Sequence, residues 1–203
     1  MRLAELSDTT GVAVATLKYY LREGLLHPGR AVSRTQSDYD ETHVERVRLV
    51  RALSEVGGLS LATIGRVLDV ITSPGQDWIT VLSTAQRSLV GGREARVVDN
   101  LGRASAWVTA RGWHVDPEDP FIDDLDRAWA ACDDVGLGLD EERMNAYADH
   151  VEGVAEIDVR TVPADPEGAI RQVILGTVLV DPVLAALRRL AQQHVSMGRA
   201  AQR

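Results

Sequence analysis

Cysteine is almost missing from this chain of 203 residues. Cys132 stands alone, so no intrachain disulfide can form and no multi-thiol metal or redox centre can be assembled. Aromatics make up only 4% of the residues, with a single phenylalanine, which excludes an aromatic-rich core. Lysine occurs once, at Lys18, so nearly all positive charge is carried by arginine. Long hydrophobic runs are also lacking. The longest, Val173 to Val180, has Gly176 and Thr177 inside it and falls well short of the roughly 18 to 20 apolar residues of a membrane span. Residues 1–11 hold no apolar segment of the kind a secretory signal needs, so a cytoplasmic protein without a membrane partner is expected. What remains, 45% hydrophobic and 26% charged, is the composition of a globular protein.

The net charge of -8 argues at first against a nucleic-acid partner, because phosphate contacts need cations. The distribution reverses that inference. Residues 1–72 balance nine basic against nine acidic side chains, and the whole deficit lies in residues 73–203. Between Val12 and Ser37 the chain carries Lys18, Arg22, Arg30 and Arg34 against Glu23 alone, a local surplus of positive charge that a dimer would double.

Local patterning organises this first third. Leu3 to Thr10 reads as a short helix stopped by Gly11, and Val12 to Glu23 as a second helix with Val14, Leu17 and Leu21 inward. Two short helices across a tight turn are the signature of a helix-turn-helix, whose second helix enters the major groove of DNA. Leu25 to Tyr39 lacks a helical period and is expected to form a loop or small hairpin, a wing. Asp40 caps a third helix lined by Val44, Val47, Val50 and Leu53, and Ser60 caps a fourth lined by Leu61, Ile64, Leu68 and Ile71.

Several landmarks occur here in fixed order: Ala4-Glu5-Leu6, Thr10-Gly11-Val12, Thr16-Leu17-Lys18-Tyr19-Tyr20, Gly24-Leu25-Leu26, Pro28, Tyr39, Val44 and Leu59-Ser60-Leu61. Together they resemble the MerR family of bacterial transcription regulators over residues 1–72. The resemblance implies a winged helix-turn-helix, dimerisation through a helix just after it, and activation by untwisting and bending promoter DNA for RNA polymerase. The chain departs from the family pattern at Lys18, where arginine is usual, and at Thr35-Gln36-Ser37, where Gly-Tyr-Arg is usual. The first change keeps the charge but loses the planar fork of a guanidinium, and the second shifts wing charge to Arg30 and Arg34. The expected DNA-binding residues are therefore Thr16, Lys18, Tyr19, Tyr20, Arg22, Arg30, Arg34, Gln36 and Tyr39, with one of the adjacent tyrosines at the groove and the other partly packed.

Beyond Ser73-Pro74-Gly75, Trp78, Leu82, Ala85 and Leu89 and then Val98, Leu101, Ser105 and Val108 form two helical seams split at Gly91-Gly92, expected to serve dimerisation over residues 73–112. The pairs Asp119-Pro120, Asp165-Pro166 and Asp181-Pro182 each place a capping carboxylate before a proline and read as helix starts. The fold class is mainly all-α: a winged helix-turn-helix with a small β wing, dimerisation helices, and an all-helical domain over residues 113–203 that is expected to take a small-molecule effector. Trp107, Trp113, Trp129 and Tyr147 are the candidates to wall in such a ligand. Core packing is the simpler role for them.

Other signals point to no chemistry. His27, His43, His114, His150 and His194 show no metal-type spacing, Asp123, Asp124 and Asp126 read as exposed or first-turn carboxylates, and Cys132 reads as a buried, inert thiol, so no metal or cofactor is expected. No catalytic constellation is visible and no enzyme is expected. The partners implied are double-stranded promoter DNA, a second copy of the chain as a homodimer, RNA polymerase and an effector. An architectural DNA binder of the excisionase kind, without a ligand, is the alternative reading.

Overall fold

A computed structural model describes residues 1–33, 36–72 and 102–201. The expected seams built on Trp78, Leu82, Ala85, Leu89, Val98 and Leu101 lie outside these residues. Helix α1 (Leu3–Thr10) buries Leu6 and Thr10 one turn apart and ends where the N–H of Gly11, at φ 69°, donates to the carbonyl of Ser7. Such a backbone is open to glycine at no steric cost. Ser7 Oγ donates to the carbonyl of Val12 at 2.6 Å, which fixes the turn into α2 (Val14–Arg22). The buried positions of α2 are Leu17 and Tyr20, while Val14 and Leu21 are half-buried. The inner stripe is thus rotated from the Val14, Leu17, Leu21 face read from spacing.

Strands β1 (Arg30–Ser33) and β2 (Gln36–Asp38) pair antiparallel, with Arg30 opposite Asp38 and an irregularity between Ala31 and Ser33. Gly29 starts this hairpin because no larger residue fits: a Cβ there would lie 2.7 Å from the carbonyl oxygen of Asp38 and 2.9 Å from the Tyr39 ring. Asp40 then caps α3 (Glu41–Arg51), accepting from the N–H of Thr42. Val44, Val47, Val50 and Leu53 are completely buried, and because a spacing of three drifts around an α-helix they cover a broad inner face rather than one line. One π turn, Ala52–Val56, extends α3, and Ser60 Oγ accepts from the N–H of Thr63 to start α4 (Leu61–Thr72). Arg51 ties the first helix to the third: Nη1 donates to the carbonyl of Thr10 and the rest of the guanidinium grips Glu55 through two bonds of 2.9 Å.

The remaining described residues form α5 (Arg103–Ala110), α6 (Pro120–Asp134), α7 (Glu141–Arg160) and α8 (Pro166–Ala200). Asp119 and Asp165 cap α6 and α8 with proline in the first turn, as read from sequence. Asp181-Pro182 behaves differently. It is no helix start: α8 runs unbroken for 35 residues with Pro182 inside it. An interior proline loses a backbone bond and costs about 3 kcal/mol, so the helix persists because its first half is anchored and strong helix formers such as Leu184, Ala185 and Leu187 follow.

The described residues form two cores. The first joins Leu6, Leu17, Tyr20, Leu25, Leu26, Tyr39, Val44, Val47, Val50, Leu53, Ile64 and Leu68, and it is completed by Ile174 and Val178 of α8. The second is made by Trp107, Val108, Trp129, Met144 and Ala148 from α5, α6 and α7. No helix among the described residues is long and apolar enough to cross a membrane.

Candidate nucleic-acid interface

Because Leu17 and Tyr20 face inward, the outer face of α2 is polar. Lys18 and Arg22 lie one turn apart and are exposed, Tyr19 and Thr16 are half-buried beside them, and the hairpin adds exposed Arg30 and Gln36. Arg22 is partly occupied. Its Nε donates to Glu23 Oε1 at 3.1 Å and its guanidinium lies 4.9 Å from the Tyr19 ring centre, so it holds that ring as well as carrying charge. Arg30 is 3.6 Å from Asp38, but with 84% of its side chain exposed that pair is a weak restraint in water. Arg34 lies outside the described residues. Exposed cations are thus offered by both a helix and a hairpin.

Two expected members turn inward. Tyr20 is 7% exposed and Tyr39 8%, and both rings belong to the first core. Burial, then the charge of Glu55, raises the Tyr20 pKa above its ordinary value. Tyr39 presents an edge to the His43 ring at 5.1 Å, and its N–H donates to the carbonyl of Met1. Aromatic rings in a binding motif satisfy the hydrophobic effect first, and here these two are worth more inside than at a groove.

The structure also assembles a group that sequence spacing conceals. His27, Asp40 and His43 meet at the hairpin base: the two imidazole centres are 3.9 Å apart, and His43 Nδ1 lies 2.8 Å from Asp40 Oδ1. The only linear hint was a histidine three residues after a capping aspartate.

Beyond residue 102 the rings of Trp107, Trp113 and Trp129 pack together. The Trp107 ring meets Trp113 and Trp129 edge to face at 5.6 and 5.9 Å. Their indole donors are used internally, Trp107 Nε1 to Asn145 Oδ1 and Trp129 Nε1 to the carbonyl of Leu139. Tyr147 stands apart on α7, exposed, with Arg143 and Arg188 near its ring. Asp126, expected at the surface, is 5% exposed and accepts from the N–H groups of Gly102 and Ala104, capping α5 from across the helix pair. Cys132 is half-buried rather than buried.

Comparison with known proteins agrees with this arrangement. The model of the MerR HTH family of regulatory proteins matches residues 1–70. Nodulation protein NolA of Bradyrhizobium sp. (strain NC92) is 40% identical over 72 residues, and that of Bradyrhizobium elkanii 39% over 72 residues; each match covers 36% of this chain. The matched part spans less than a third of those relatives, 30% and 32% of their lengths. The crystal structure of SCO5550 from Streptomyces coelicolor A3(2), provisionally assigned as a transcriptional regulator, is similar over almost its whole length. It shares 34% identity with a TM-score of 0.69, covering 98% of this chain and 97% of that one. A cationic helix and hairpin on a shared core, a family match over the same residues and a full-length structural relative lead to one conclusion: the chain belongs to the MerR family of DNA-binding transcription regulators.

Proposed function

We propose that this regulator binds a pseudo-palindromic promoter operator as a homodimer, distorts that DNA for RNA polymerase, and does so in response to a small molecule taken by its helical domain. The observation that carries the reading is the set of exposed cations Lys18 and Arg22 on α2 and Arg30 on the hairpin, with Leu17 and Tyr20 buried on the other side of α2. In this reading Lys18, Arg22 and Arg30, with Arg34, hold phosphates, while Thr16, Tyr19 and Gln36 stand nearest to base edges.

The second half of α8 supports a second copy. Val183, Leu187, Leu190, His194 and Met197 recur at spacings of 4, 3, 4 and 3, and all are exposed. That is the pattern of a helix seam, whose apolar stripe is left facing water unless a partner helix covers it. The first half of α8 supports regulation over a purely architectural role. Ile174 and Val178 enter the core of the DNA-binding unit, so α8 of the helical part packs directly on the reading head. A ligand shifts the DNA-distorting state only as far as it prefers that state.

Footprinting with sedimentation on the full chain tests the proposal. Two chains per duplex and two protected half-sites about 34 to 36 Å apart, or a multiple of that, are expected. One chain per duplex, or broad protection without symmetry, would favour the architectural alternative.

A further inference from the structure

Arg103, Arg111 and Arg127 of the helical part each hold an aspartate. Arg143 of α7 and Arg188 of α8 hold none: among the described residues neither guanidinium forms an ion pair with a carboxylate, although the chain as a whole is acidic. Both instead converge on Tyr147, their central carbons 5.8 and 5.9 Å from the centre of its ring. Arg143 also donates to the carbonyl of Leu137 at 3.4 Å, a long bond that leaves most of its fork open. Hydrogen bonding from Arg143, then the charge of Arg143 and the approach of Arg188, holds the Tyr147 phenol below its ordinary pKa. Two guanidiniums drawn to one phenol oxygen repel each other, and an anion seated between them would relieve that repulsion.

The surfaces beside this cluster are apolar. On α7, Arg143, Tyr147, Val151, Val154 and Asp158 recur at helical spacing and share one face, and on α8, Asp181, Leu184 and Arg188 do the same. Arg188 at Tyr147 marks one end of the facing pair, and Asp181, raised in pKa by burial and then by the charge of Asp158, marks the other. Between the two ends Val154 and Leu184 are half-buried, but Val151 remains 57% exposed, so α7 and α8 leave an apolar wall open next to the two arginines. Leu184 and Arg188 lie about a third of a turn round α8 from the stripe of Val183, Leu187 and Leu190, so this wall is not the seam assigned to a second copy. We propose that α7 and α8 together bind an amphipathic organic carboxylate, its head between Arg143 and Arg188 against Tyr147 and its apolar tail along Val151, Val154 and Leu184. Guanidinium forks match the two oxygens of a carboxylate, and an apolar tail gains by covering Val151 and Leu184. The carboxyls of Asp158 and Asp181, roughly 16 Å farther along α7, repel a second negative group and select against dicarboxylates. The site gives the effector reading above a chemical class, and it rests on that reading only for its regulatory meaning.

Calorimetry on the full chain without DNA tests the site, with decanoate as the probe and decylamine and inorganic phosphate as comparisons. One decanoate per chain is expected, with a shift of the Tyr147 ring signals in NMR, while decylamine, which has the tail without the charge, and phosphate, which has the charge without the tail, should bind at least about tenfold more weakly. Arg143→Gln and Arg188→Gln should each weaken decanoate at least about tenfold, and Val151→Asn should weaken decanoate while leaving phosphate unchanged. All three positions are exposed, so these variants fold. Val135→Asn, at an apolar side chain 78% exposed elsewhere, should change nothing. No decanoate binding by the wild-type chain, equal binding of decylamine or phosphate, wild-type affinity in both arginine variants, or a loss in Val135→Asn would each overturn the site. Decanoate that binds here and leaves affinity for duplex DNA unchanged upholds the site and defeats the effector reading.

Discussion

Val178 occupies the space that any side chain on Gly57 would need: a Cβ at Gly57 would sit 2.2 Å from Val178 Cγ1 and 2.8 Å from the carbonyl oxygen of Leu53. The end of the π turn and the first half of α8 therefore touch backbone to side chain. Gly57→Ala should lower stability by about 1–3 kcal/mol through overpacking. Adding Val178→Ala should recover part of that loss, because the two changes share one contact. Thermal melts of the two single variants and the double variant check it, and strictly additive losses would deny the contact.

DNA affinity should depend steeply on salt. Lys18→Ala and Arg30→Ala are expected to weaken binding to all sequences alike and to reduce the slope of log affinity against log salt by about one each. Fluorescence anisotropy at several salt concentrations measures both. Tyr39→Phe should leave the slope unchanged, since that ring lies in the core.

Acid should loosen the first unit. The hydrogen bonds from Arg51 hold the Glu55 carboxyl below its ordinary pKa of 4.5. A depressed carboxyl stabilises the fold above its unfolded value, and that contribution is lost as pH falls through the folded one. Melting temperature should therefore fall below about pH 4.5, and Glu55→Gln should flatten that acid limb while costing some stability at neutral pH. An identical acid limb in the variant would remove Glu55 from the account.

Removing the buried cap of α5 should expose the second core. Asp126→Ala leaves the N–H groups of Gly102 and Ala104 without their acceptor, at a cost of about 1–3 kcal/mol. Trp129 is nearly fully buried, so a red shift of tryptophan emission at lower denaturant concentration reports the loss.

Much of the first unit was legible because its helices obey local rules. Val44, Val47, Val50 and Leu53 are buried as their apolar recurrence at every third residue suggests, and Asp40 and Ser60 cap where their types predict. What stayed hidden is tertiary. Spacing leaves open which of Tyr19 and Tyr20 packs until the core takes Tyr20, Tyr39 looks like a groove contact until the same core claims it, and Asp126 looks exposed until α5 needs a cap. His27 and His43 carry no shared spacing, because the hairpin base rather than a helix turn brings them together. Asp181-Pro182 misleads in the opposite way: its local chemistry favours a helix start, and the continuous packing of α8 overrides it.

The seating of Ile174 and Val178 in the first core, against the π turn and α4, has a thermodynamic consequence. Burying two such side chains is worth roughly 1.5–3 kcal/mol each, a sizeable part of what a domain of about 70 residues has in reserve. A fragment ending near residue 72 would open that pocket to water and melt well below the intact protein. The DNA reader is thus insured by the far end of its own polypeptide, and whatever peels α8 away weakens the reader in the same stroke.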